Sequence, residues 1–339
     1  MKKKTLFLLL CALTALMLLM LPVIIPSGSM LGDYQDQWAE LAWDSEALRS
    51  LFLPEASAEE AAASLPTDLM IPGNEPNPDA YTENGYEDDS ISVRIEKITD
   101  AEKKLSWTAA YIKIQDPSQF RTCIAGNSIK SERTASVLSM AKKYNAVIAV
   151  NGDYYSNDTQ KKSFEYRMGE KIRNKTNARK DILIIDENAD LHIILMADKA
   201  VQQAEIDRIC EEHEIINAFT FGPALVKDGN LLNCPKDYNY NPNGEEPRVA
   251  IGQIDSLSYV LVVAEGRGGY ADGVTHQELA NFMYDTIGCQ QAYNLDGGNS
   301  GTMVLGDTVY KADHGTSKLR DLNDSIYFAT TVDPSSWRQ

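Results

Sequence analysis

The sequence predicts an α+β fold: a single domain with a mixed β-sheet and flanking helices, preceded by one transmembrane helix. Three observations carry this. Short β-branched runs recur through residues 90–339 and are separated by turn residues, which is the pattern of strands. Three segments among them show helical spacing, and hairpins interrupt what would otherwise be βα repeats, which argues against a doubly wound parallel sheet. The third observation is a charge-free run of 21 residues, Thr5 to Ile25, behind Lys2, Lys3 and Lys4. It is long enough to cross a hydrocarbon core of roughly 30 Å as a helix.

The N-terminal elements follow from charge. Of the net −17, residues 1–32 contribute +3, residues 33–90 contribute −14 and the remainder −6, so most of the acidity lies in a tether. An acidic chain of this kind excludes nucleic-acid binding through a basic surface. Residues 1–27 are read as a cytoplasmic tip and anchor, with the lysines held inside. A signal cut after Ser29 is the competing reading, and both export the protein, to a single-pass position with its domain outside the cell or to secretion. Residues 28–89 read as an acidic stalk and linker, turning from Pro66 to Asp89 into Pro, Asn, Glu, Asp and Gly with few large apolar residues. The folded domain is expected over 90–339. A single anchor and spacer suit a Gram-positive cell surface.

Within that domain the expected strands are Ile91 to Ile98, Trp107 to Ile114, Ala146 to Val150, Ile182 to Ile185, His192 to Met196, Ile215 to Phe221, Arg248 to Ile254, Tyr259 to Ala264, Ala292 to Leu295, Thr302 to Leu305 and Ser325 to Thr331. Helices are expected at Ser131 to Tyr144, Lys199 to His213 and His276 to Ile287, the last capped by Thr275 and stopped by Gly288. Cys123, Cys210, Cys234 and Cys289 permit two disulfides or four small buried thiols, and no spacing indicates zinc. His192, in an apolar strand, reads as a core or edge residue.

Four segments carry chemistry. Two strands end alike, in Asn151-Gly152-Asp153 and in Asn294-Leu295-Asp296-Gly297-Gly298. Residues two apart on extended chain share a side, so each presents an amide with a carboxylate, and the paired glycines let main-chain N–H groups approach an anion. In Pro247-Arg248-Val249-Ala250-Ile251-Gly252, alternation places Arg248 beside Ala250 and Gly252, leaving room for a ligand that a guanidinium can fork, such as phosphate. Glu265-Gly266-Arg267 adds an acid and a second arginine at a strand end. No dinucleotide or P-loop pattern is present. Gly298-Asn299-Ser300-Gly301 has the look of a serine-protease loop but lacks an upstream histidine in a comparable setting. The Asp and Asn residues match no EF-hand, so Ca²⁺ is unsupported, no residue is assigned to a metal, and no cofactor is expected.

The segment Asn294-Leu-Asp-Gly-Gly-Asn-Ser-Gly-Thr-Met-Val, preceded by Gly273-Val-Thr-His-Gln-Glu-Leu-Ala, closely resembles the motif of the phosphodiester glycosidase family, whose members are N-acetylglucosamine-1-phosphodiester alpha-N-acetylglucosaminidase-like and include bacterial exopolysaccharide-biosynthesis types. Val150-Asn-Gly-Asp-Tyr-Tyr, Phe221-Gly-Pro-Ala-Leu-Val, Pro247-Arg-Val-Ala-Ile-Gly and Glu265-Gly-Arg extend the resemblance over roughly Ala146 to Phe328. Asn299 stands where that family usually has glycine and Glu265 where aspartate is common.

The resemblance implies a phosphodiester-glycosidase-like domain that hydrolyses a sugar 1-phosphodiester at the C1–O bond, releasing sugar and a phosphomonoester from a glycan or sugar-phosphate substrate. A phosphate leaves with little proton assistance, so cations and a carboxylate matter more than a matched acid and base. The expected roles are Arg248 and Arg267 on the phosphate with N–H groups of Gly297, Gly298 and Ser300, Asp296 or Asp153 facing C1 with Glu265 in reserve, and Asn151 and Asn294 orienting sugar hydroxyls. A surface-anchored module that binds or transfers exopolysaccharide or teichoic-acid-type polymer without hydrolysis is the alternative.

Overall fold

The computed structural model describes residues 64–126, 133–154 and 163–338. The expected membrane anchor, and the stalk up to residue 63, lie outside them. None of the described helices is long and apolar enough to cross a membrane. In chain order the strands are β1 (Tyr81–Thr82), β2 (Gly85–Glu87), β3 (Ile91–Asp100), β4 (Leu105–Ile114), β5 (Phe120–Ile124) and β6 (Ile148–Asn151). They continue with β7 (Phe164–Arg167), β8 (Glu170–Asn174), β9 (Ile182–Asp186), β10 (Leu191–Ile194), β11 (Ile215–Phe219), β12 (Ala224–Lys227) and β13 (Asn230–Leu231). The last are β14 (Arg248–Asp255), β15 (Ser258–Ala264), β16 (Gln291–Leu295), β17 (Thr302–Leu305), β18 (Thr308–Lys311) and β19 (Asp324–Phe328). The helices are α1 (Val137–Lys143), α2 (Lys199–Glu212) and α3 (His276–Asn281).

The strands form a nine-stranded sheet, β1-β2-β3-β4-β15-β14-β16-β12-β13, and two five-stranded sheets, β10-β9-β11-β7-β8 and β18-β17-β6-β19-β5. The α+β class therefore holds, but as three sheets, and every ladder is antiparallel where a mixed sheet was expected. The one parallel contact among the described residues is an isolated bridge from Gly266 to Asp313. Tight connections explain the direction: Asp228 and Gly229 both take positive φ, +50° and +68°, and turn β12 directly back into β13.

The central strands bury both faces. Val249 and Ile251 of β14 join Leu261, Val263 and Leu295 in the main core, where they meet Val150, Met303 and Ile326 of the β6 sheet and Leu183, Ile185 and Phe219 of the β9 sheet. The opposite face, Ala250, Val260, Val262 and Ala292, packs on Leu279, Phe282 and Met283. Small residues let the helix come close: a Cβ on Gly252 would stand 2.5 Å from Cys289 Sγ and 2.8 Å from Met283 Cε. The space that alternation left beside Arg248 is thus filled by protein. Trp107 stacks on Phe282 with ring centroids 4.0 Å apart.

Helix α3 begins as expected, with Thr275 Oγ1 accepting from Glu278 N at 3.1 Å and Glu278 Oε2 accepting from Thr275 N at 2.8 Å, a reciprocal cap. Past Asn281 it widens into a π-helical turn, Phe282–Thr286. Helix α1 starts six residues later than the expected Ser131, because Ala135 is still extended and bridges Leu322. Helix α2 lays Ile206 and Ile209 on Ile182, Ile184, Ile194 and Ile215. The four cysteines of the described residues are unpaired thiols.

The segment read as a solvated linker up to Asp89 is instead part of the domain. Leu65, Leu69 and Tyr86 are buried. Its anchor is Arg121 on β5, a fully buried residue whose Nη2 donates to the carbonyls of Pro66, Asp68 and Ile71 at 3.0, 3.3 and 3.0 Å, while Nη1 reaches Ser118 O at 3.1 Å and Nε the Tyr327 hydroxyl at 3.0 Å. Composition misled because this strap is held chiefly by its main chain. Arg121→Ala leaves those carbonyls short of a donor and is expected to cost on the order of 3 kcal/mol. Urea unfolding checks the loss, and limited proteolysis should show new cleavage between residues 64 and 75.

Candidate active site

Strand β6 delivers Asn151 and, past one glycine, Asp153. Gly152 is required there, since a Cβ would lie 2.6 Å from Asp324 Oδ1. Both polar ends of Asn151 are engaged: Nδ2 donates to the Asp296 carbonyl at 2.7 Å and Oδ1 accepts from Thr302 N at 3.1 Å. The amide expected to orient a sugar hydroxyl instead ties β6 to the loop after β16 and to β17. Asp153, 1% exposed, accepts from Thr220 N at 3.0 Å through Oδ2.

Asp153 is the charge that the surrounding groups share. Arg167 on β7 is fully buried, pairs with Asp324 Oδ2 at 2.6 Å and covers the Phe219 ring at 4.0 Å. Its guanidinium is held ionised against burial by Asp324, Glu165 and Asp153. Lys180, in the turn before β9, is 5% exposed and donates to Phe221 O at 3.3 Å. The rings of Tyr154, Phe221, Tyr238 and Tyr240 surround its Nζ at 5.1 to 5.9 Å, which is a cation–π cage. Burial pulls this ammonium down to about 8 against the opposing pull of Asp153 and Asp181, so it remains charged at neutral pH. Neither residue stood out in the sequence. The legible hint was the aromatic pair Tyr238 and Tyr240, alternate residues of one loop.

Strand β16 delivers Asn294 and Asp296. Asn294 Nδ2 donates to Gly222 O at 2.7 Å, while its Oδ1 is buried without a hydrogen-bond partner. Asp296 has a buried Oδ2 that likewise lacks a partner. Burial pushes its carboxyl up to about 7, with Asp153 adding to the rise and a Ser300 hydrogen bond, Arg320 and the Gly297 N–H opposing it. Ser300 is fully buried and its Oγ accepts from Arg320 Nη1 at 3.3 Å. Arg320 is therefore a cation at this site that the sequence reading did not single out.

The glycine loop is rigid but not an anion nest. A Cβ on Gly297 would sit 2.5 Å from Pro247 O. The Gly298 N–H donates to Pro247 O at 2.8 Å and the Ser300 N–H to Gly297 O at 3.1 Å, so the amides expected on a phosphate serve the turn itself.

The expected arginines divide. Arg248 points away from Val249 and Ile251 as read, but Nε donates to Val274 O at 2.7 Å, Nη1 to Tyr240 O at 3.4 Å, and Nη2 to Asn241 O and Gly244 O at 2.7 and 3.1 Å. Three of these four bonds go to carbonyls of the loop that carries Tyr240 and the fourth to Val274, so the guanidinium expected on a phosphate is engaged by main chain. Arg267 pairs with Asp313 at 2.7 Å and with Glu246, and its Nη1 lies 3.8 Å from where a Gly298 Cβ would be. It borders the loop while already paired. Glu265 belongs to another cluster, with Lys97 and His314 at 3.2 Å each and Thr108 at 3.1 Å. Burial alone would raise it, but hydrogen bonds from Tyr270, Lys97 and Thr108 and the Lys97 charge hold it below the usual range. His276 is fully buried, and burial with the nearby Arg248 and Lys180 charges drives it down to about 3, which leaves a neutral ring. Surface clefts of about 510 and 560 Å³, lined by Tyr86, Arg94 and Tyr111 and by Tyr81, Lys142 and Asp307, lie elsewhere.

Strand ends thus bring two buried aspartates, a caged lysine and an arginine into one polar centre on a sheet-rich scaffold. The chain belongs to the phosphodiester glycosidase family, whose model matches residues 144–329. Asn151, Asp153, Lys180, Arg248, Asn294, Asp296 and Arg320 all fall inside that span. The SPbeta prophage-derived protein YomE of Bacillus subtilis (strain 168) is 26% identical over 189 residues, 54% of this chain and 28% of its own length. The chain thus spans under a third of that relative. The zebrafish N-acetylglucosamine-1-phosphodiester alpha-N-acetylglucosaminidase catalytic domain, auto-inhibited by its pro-peptide, superposes with a TM-score of 0.54 at 17% identity, over 76% of this chain and 86% of that one. It shows the shared fold. A hypothetical protein from Synechocystis gives a TM-score of 0.46 at 12% identity, over 70% and 62%.

The Asp296 environment makes a stability prediction. Its folded value near 7 exceeds the ordinary 3.8, so between those pH values the native state keeps a proton that the unfolded chain has lost, and stability falls as pH rises through the window. Asp296→Asn removes this. The variant is expected to match wild type near pH 4 and to exceed it by on the order of 4 kcal/mol at pH 8, measured by urea unfolding at both values.

Proposed function

We propose that this domain hydrolyses a sugar 1-phosphodiester, of the N-acetylglucosamine 1-phosphodiester kind, at the C1–O bond, giving free sugar and a phosphomonoester. The observation that carries the reading is the pairing of Asp296, poised near neutrality, with Asp153, whose charge sits beside Lys180 and Arg167. A carboxyl poised near neutrality next to a second buried aspartate suits acid–base or nucleophilic chemistry. Because phosphate departs without a strong acid, Asp296 acts in its ionised form toward C1 or its attacking water. Lys180 and Arg320 supply positive charge for the departing phosphate, with Arg267 at the rim. The unpartnered Oδ1 of Asn294 is available to a sugar hydroxyl. The apolar run Thr5 to Ile25 supports an exported, tethered enzyme acting on a cell-surface or extracellular glycan.

Release of N-acetylglucosamine from UDP-N-acetylglucosamine and from a synthetic 1-phosphodiester tests this. With Asp296→Asn, kcat is expected to drop by on the order of 10³-fold while circular dichroism is unchanged. For wild type, kcat/KM should fall about tenfold per pH unit below pH 7, because protonation removes the working carboxylate. Replacing Lys180 with Met should raise KM or lower kcat by roughly 10- to 100-fold, as expected for loss of one charge-stabilising donor. Turnover of the Asp296 variant within a few-fold of wild type overturns the assignment.

A further inference from the structure

We propose that Asp186, His192 and His213 form a binding site for a divalent transition-metal ion of the zinc type, separate from the candidate active site. The sequence reading placed His192 in an apolar strand and assigned no residue to a metal; the topology brings it to Asp186 across the β9–β10 hairpin and to His213 at the far end of α2. Asp186 closes β9, His192 lies in the adjacent β10, and His213 follows the last turn of α2, immediately before β11, whose Ile215 pairs with Asp186. The three ligand atoms lie within 4.8 Å of one another.

Hydrogen bonding does not account for the arrangement. Asp186 is 1% exposed, and its Oδ1 already accepts the N–H groups of Asn188 and Asp190, each at 2.9 Å. Only Oδ2 faces the imidazoles, and both rings converge on it, His192 Nε2 at 2.9 Å and His213 Nδ1 at 3.0 Å. The first contact is a hydrogen bond. The second lacks that geometry, so His213 Nδ1 is a buried nitrogen with no hydrogen-bond partner. A metal ion uses all three atoms at once. Tetrahedral bonds of 2.0–2.1 Å hold donor atoms roughly 3.3 Å apart, so small side-chain shifts admit the ion. The two backbone N–H bonds to Oδ1 are the supporting contacts that orient a ligating carboxylate.

The surroundings favour a cation. The C-terminus of α2 carries the negative end of the helix dipole, its last turn holds Glu211 and Glu212 and no basic residue, and Glu187 Oε1 stands 3.5 Å from His213 Nδ1. The rings of His192 and His213 are 25% and 28% exposed, which leaves an entry path and a fourth position for water. A filled site would fasten the end of α2 to the β9–β10 hairpin.

The experiment uses the tag-free full chain, stripped with a chelator and titrated with Zn²⁺ by calorimetry, with the visible absorption of Co²⁺ as a second readout. The expected result is one equivalent bound, a Co²⁺ spectrum of tetrahedral type, and a raised melting temperature. In His192→Ala and His213→Ala, affinity should fall by on the order of 100-fold, at the top of the range seen when even a supporting group is lost. Absence of stoichiometric binding by the wild-type chain overturns the proposal, and so does unchanged affinity in the two histidine variants. The wild-type titration decides even where a variant fails to fold.

Discussion

One side-chain amide holds the centre of this molecule together. Asn151 stands at the end of a strand in one sheet, and two of its hydrogen bonds reach the main chain on either side of the glycine loop that follows a strand of another sheet. Asp153 and Asp296 come from segments more than 140 residues apart, and this amide fixes their spacing. Because Asn151 is 1% exposed, water does not compete for those bonds. The family span begins just before this strand and ends with β19, which pairs with it.

Around that stitch the protein buries an unusual density of charge. Asp153, Glu165, Arg167, Lys180 and Asp324 are all at most 5% exposed, and each would be costly alone. They are tolerable as a network because Arg167 joins Asp324 and Glu165 while aromatic faces flank the cations. A preorganised array of this sort stabilises developing charge more effectively than side chains that must first be reoriented from water. Next to this network the carboxyl of Asp296 has one buried oxygen without a hydrogen-bond partner, and burial raises its pKa.

Much of this was legible in the chain itself. β14, β15 and β16 are nearly continuous β-branched and small residues, which is what burial on both faces demands, and their strand-terminal Asn, Asp and Gly residues marked the centre. Among the strands that escaped notice, β7 carries two of its charges. β7 reads Phe-Glu-Tyr-Arg, with Glu165 and Arg167 breaking any apolar run, and their burial is compensated by Asp324, 157 residues away from Arg167. Lys180 hid for the same reason, as one charge among several before a strand. Arg248 illustrates the opposite limit: alternation gave its direction correctly, but its partners are carbonyls of a loop with no regular pattern. Periodicity reports which way a side chain points, whereas what it meets depends on chain that is remote in sequence.

The strap from Leu65 to Ile71 has a mechanical consequence. Tension entering from the N-terminal side meets the three carbonyls gripped by Arg121 before it reaches any strand of the central sheets. Those bonds are short-range and converge on one guanidinium, so they behave as a shackle, and the load they carry passes into β5 and its neighbour β19.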